Sequence, residues 1–101
     1  MTQPVPLDPY IVDVLMRDLV GHDRAPSAYL VYLWLWRTSR GEGRERVGAS
    51  LQTIADRTGL SKSAVQAAVR HLARRRLVEA ARDGPTCAPV YQVLEPWRRG
   101  A

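Results

Sequence analysis

The sequence predicts one mainly α-helical domain closed by a small β-hairpin, and three observations predict it. Four segments carry apolar residues at three- and four-residue steps, the period of a one-sided helix. Two of them, in the run LQTIADRTGLSKSAVQAAVRHLARRRLV over residues 51–78, are joined by a tight turn at Gly59-Leu60-Ser61. Further on, Val78 to Ala81 and Val90 to Leu94 flank a stretch rich in turn formers, Arg82 to Pro89, as the strands and tip of a hairpin would. A chain of 101 residues can build one core but not a second with its own cleft, so residues 1–101 are expected to form a single unit. Its parts are a helix pair over 8–40, a strand and second helix pair over 46–78, and the hairpin over 78–95.

Taken in order, residues 1–7 hold Pro4 and Pro6 and read as an extended arm. Asp8-Pro9 is an N-cap followed by proline in the first turn, and Ile11, Val14, Leu15 and Leu19 form a core-facing stripe. Gly21 is a natural stop, which puts the first helix at about residues 9–20. His22 to Ala25 is a polar connection. Pro26-Ser27 opens a second helix that runs to about Ser39 and is closed by Gly41 and Gly43. Arg46 to Ala49 reads as a short strand. Ser50 then caps a helix over Leu51 to Thr58, Gly59 supplies the positive backbone angle of the turn, and Ser61 caps the last helix, to about Arg75.

The second helix, SAYLVYLWLWRTSR, is apolar almost all the way round. Such a helix is normally buried on every side. In so small a domain the extra cover is expected from a second copy of the chain, with Leu30, Trp34 and Leu35 as candidate interface residues. The competing reading is that the first helix and the C-terminal tail, through Trp97, supply that cover.

The net charge of +5 is unevenly placed. Residues 1–43 hold four Arg and five acids, and residues 44–101 hold eleven Arg or Lys and five acids. Arg57, Lys62, Arg70, Arg74, Arg75 and Arg76 follow one another with no acid between them. A concentrated positive patch attracts a polyanion. On the last helix, Ser61, Lys62, Ser63 and Gln66 lie outward in the first turns, where a helix entering a major groove meets base edges. Arg70, Arg74 and Arg75 lie further along, where long basic side chains meet phosphate. Arg57 and Arg82 extend the basic surface. His71 is expected to pack at the helix edge.

The run SLQTIADRTGLSKSAVQAAVRHLARRRLVE resembles the winged helix-turn-helix of bacterial and phage regulators and plasmid replication initiators, and the regulators of the GntR and MarR families share a similar core. The resemblance spans about residues 8–95. It implies a winged helix-turn-helix fold, binding of double-stranded DNA and a role in transcription regulation. The hairpin would be the wing, although Arg82 is its one basic residue and Asp83 lies beside it.

Other functions fare worse. Two histidines and the lone Cys87 give no zinc spacing, the acids form no obvious pair for acid–base work, and Gly41-Glu42-Gly43 lacks the lysine of a phosphate loop. No catalytic residue, metal or cofactor is therefore expected. The absence of a secretory start and of an apolar run of roughly 18 residues points to a cytoplasmic protein without a membrane partner. Two alternatives to a DNA reader are a winged-helix module for protein interaction or replication initiation, and a regulator answering to a small-molecule effector in a pocket at the dimer interface. Acids or bulky apolar residues on the recognition face would favour the first, and a ligand retained through purification the second.

Overall fold

A computed structural model describes residues 4–41, 43, 45–82, 84 and 87–98. The expectations for residues 1–3, for Glu42, and for Asp83, Pro85 and Thr86 at the wing tip fall outside those residues.

Helix α1 covers residues 9–22. Asp8 caps it as expected: its carboxylate accepts from the Tyr10 amide at 2.9 Å and its carbonyl from the Ile11 amide. Most of α1 is wound wider than an α-helix, with π-helical stretches Ile11–Leu15 and Arg17–His22. A wider turn keeps residues four apart nearly in line. Ile11, Leu15 and Leu19 are therefore buried, while Val14, expected in the stripe, is only half-buried. The same winding carries the helix past Gly21. The left-handed residue that ends it is Arg24, at φ 53°, and the Ala25 amide closes the turn on the Leu19 carbonyl at 2.7 Å.

Helix α2, Pro26–Gly41, is the central element. It packs against α1, against the helices α3 (Leu51–Thr58) and α4 (Lys62–Arg74), and against the sheet. Its aromatic residues are therefore core, and their cover comes largely from within the chain. Their polar atoms are satisfied across element boundaries: the Tyr29 hydroxyl donates to the Ile11 carbonyl, the Tyr32 hydroxyl to Leu94 and the Trp36 indole to Pro6. Leu35 is 0% exposed inside one protomer, so it has no surface to offer a partner. Trp34 is half-buried, and Leu30 remains 44% exposed.

Strands β1 (Arg46–Gly48), β2 (Val78–Ala81) and β3 (Val90–Val93) form an antiparallel sheet in the order β1-β3-β2. The expected hairpin is present, with Val78 opposite Val93 and Ala80 opposite Tyr91. The short strand before α3 joins it as a third member, Val47 lying opposite Tyr91. After the sheet, Trp97 stacks on Tyr10 with ring centroids 4.6 Å apart and donates to the Asp8 carboxylate, which ties the tail to α1.

The two helices after β1 form as the sequence implies. The Ser50 hydroxyl accepts from the Thr53 amide at 3.0 Å and the Ser61 hydroxyl from the Ala64 amide at 3.1 Å. Gly59 sits at φ 80°, a conformation a β-carbon would resist. Ile54 and Ala55 of α3 and Val65, Ala68 and Leu72 of α4 face the core. The fold is a winged helix-turn-helix.

Candidate nucleic-acid interface

Successive residues of α4 are about 100° apart around its axis. With Val65, Ala68 and Leu72 turned inward, that rotation directs Ser63, Gln66, Ala67, Arg70 and Arg74 outward. All five are exposed, as are Ser61 and Lys62 where the helix begins. The sequence-derived candidates for base contact are thus together on the first two turns, and two of the three candidates for phosphate contact continue the same face.

Elements lie on both flanks of that face. On one side a cleft of about 320 Å³ separates α4 from the wing and is lined by Gln66, Val69, Arg70, Ala80, Arg82 and Tyr91. Arg82 therefore borders the same surface as Arg70. On the other side a cleft of about 340 Å³ separates α4 from the turn between α1 and α2. Arg57 is exposed near the end of α3.

Arg75 is employed differently from what its place in the basic run suggests. It caps the C-terminus of α4, and its guanidinium faces two acids of α1 and the following turn, Asp23 at 2.9 Å and Asp18 at 3.7 Å. Asp23 also holds His71 at 2.7 Å and His22 at 2.8 Å. The hydrogen bond from His22, followed by those from His71 and the charge of Arg75, holds the Asp23 carboxyl below the usual carboxylate range despite burial that opposes it. His71 is therefore at the helix edge, packed on a neighbour. No sequence motif announces this cluster, because Asp23 and its partners on α4, His71 and Arg75, lie 48 or more residues apart along the chain.

A second feature escaped the sequence reading. Val12, Met16 and Val20, spaced four apart on the wide turns of α1, are 40–43% exposed. They form an apolar row beside the buried row of Ile11, Leu15 and Leu19. A strict 3.6-residue period hides such a row.

Among the described residues, no group of three or more His, Cys, Asp or Glu side chains could hold a metal ion, and no helix is long and apolar enough to cross a membrane. The sequence model of the MarR family, a family of winged-helix transcriptional regulators, matches residues 35–85, from the second half of α2 through the helix-turn-helix into the wing. No curated protein and no solved structure matches the chain.

Proposed function

Because the chain belongs to the MarR family, we propose that it binds double-stranded DNA sequence-specifically as a homodimer and regulates transcription, with α4 in the major groove. The observation that carries this reading is the outward face of α4. It is polar and basic from Lys62 to Arg74, and residues 57–76 contain no acid. A helix of this diameter fits a groove about 12 Å wide, its first turns toward the bases.

Roles then follow from reach. Gln66 suits a bidentate pair with adenine, and Lys62 and Ser63 flank it. Arg70 and Arg74 hold phosphate, with Arg57 and Arg82 at the margins. Arg75 acts as a strut between α4 and α1. Dimerisation is typical of the family, and the exposed row Val12, Met16 and Val20, with Leu30 of α2, supplies apolar surface for it.

The test is Gln66→Ala against a set of duplexes varied one base pair at a time. The expected result is lost discrimination at one base pair per half-site, on the order of 1–3 kcal/mol. A variant that ranks every duplex as the parent does would remove Gln66 from base reading.

A further inference from the structure

A helix with its side chains is about 10–12 Å across, nearly the width of the major groove, so a sugar–phosphate strand runs along each of its flanks. One flank of α4 carries the wing and Arg82. The other faces the turn between α1 and α2 across the cleft of about 340 Å³, whose lining includes Ala64, Ala67, Arg24 and Arg74. Resting on the reading of α4 as the DNA reader, we propose that Arg24, opposite Arg74, binds a backbone phosphate of the strand on this flank. The α1–α2 turn then supplies a grip opposite the wing.

Three observations support it. Arg24 is exposed, and its guanidinium pairs with no carboxylate among the described residues. Its neighbour Asp23 also lines this cleft and would repel a phosphate were it unsatisfied. It is not: one carboxylate oxygen faces His22, and the other faces both His71 and Arg75. With that charge compensated, Arg24 and Arg74 dominate the local field.

Arg24 is also held at φ 53°, in the left-handed region that non-glycine residues enter at a cost. The surrounding structure imposes that conformation. The Asp23 amide bonds to the Asp18 carbonyl at 2.8 Å and the Ala25 amide to the Leu19 carbonyl at 2.7 Å, while the Asp23 side chain is fixed to α4. Arg24, on this sharp turn, lines the cleft and is exposed.

The experiment compares the parent with Arg24→Asn, Arg24→Gly and Arg24→Lys. Asn and Gly remove the charge yet tolerate the left-handed backbone, so both variants are expected to melt no lower than the parent. Binding is measured on a parent-selected duplex and on a random duplex between 50 and 200 mM salt. The charge-free variants should weaken on both duplexes about equally. Their log–log salt slope should be shallower by about 0.9, about 3.5-fold in relative affinity over that range. Arg24→Lys should keep the parent slope. Parent-like slopes in both charge-free variants, beside a reduced slope in Arg70→Ala, would overturn the role of Arg24 and leave α4 as the reader. A parent that binds neither duplex would overturn both.

Discussion

At the C-terminal end of α4 three side chains converge on one carboxylate. Asp23 receives His22, His71 and Arg75 at 2.7–2.9 Å, and its side chain is only 8% exposed. The cluster joins the end of α1 to α4, the helix proposed to read DNA. Its pH dependence has a definite sign. The folded protein holds the Asp23 carboxyl below its ordinary value, chiefly through the His22 hydrogen bond. The resulting stability is therefore complete above the unfolded value of about 3.9 and is lost as pH falls through the depressed folded value. Thermal melts should show the parent losing stability more steeply than Asp23→Asn as pH falls below about 4, because the Asn variant has no proton to take up there. Equal slopes would mean that Asp23 contributes nothing through its charge. This residue could not be assigned a role from sequence, because the cluster depends on how the α1–α2 turn meets α4 in space. The partners of Arg75 are hidden for the same reason: a basic residue in a basic run gives no sign of which acids it will face.

At the scale of elements, what could be read from the chain was whatever local chemistry decides. The caps at Ser50 and Ser61 and the left-handed turn at Gly59 depend on residues a few positions apart, and the two hairpin strands are marked by the turn formers between them. Ser61→Ala should lower stability by about 1 kcal/mol, because the Ala64 amide loses its acceptor. Chemical denaturation measures it, and an unchanged midpoint would show the cap to be dispensable. Ser61→Asp should hold the parent midpoint, since aspartate caps equally well. Two features were not locally decided. The π winding of α1 has no local sequence signal, and along it Ile11, Leu15 and Leu19 are buried in a four-residue repeat while Val14 is half-buried. The cover of α2 is a matter of topology. Placing this helix at the centre, with Tyr29, Tyr32 and Trp36 each bonded to another segment, explains an aromatic content that the sequence suggested a partner chain would cover.

For the whole molecule, of the two helices expected to hold a dimer it is α1 that leaves an apolar row exposed, while most of the aromatic face of α2 is buried. Val12, Met16 and Val20 leave apolar surface in water at 40–43% exposure, and a second copy of the chain would remove it. Met16→Glu would put a charge in the middle of that row while touching no core position. Sedimentation at micromolar concentration should show the parent as a dimer and Met16→Glu shifted toward monomer with an unchanged far-ultraviolet circular dichroism spectrum. A dimer indifferent to the substitution would place the interface elsewhere. Two-fold pairing would also compensate for a wing with little positive charge, since two modest half-sites would combine through high effective concentration. It would set the spacing of the site as well, with two copies of α4 about one helical turn apart, roughly 34 Å. Selection of bound duplexes from a random pool by the intact protein bears on all of this in one measurement. The expected product is a two-fold symmetric sequence with half-sites about one turn apart and strong bias at the base pairs under Lys62, Ser63 and Gln66. Recovery of a pool no different from the starting one would contradict the assignment of α4 as a reader of DNA sequence.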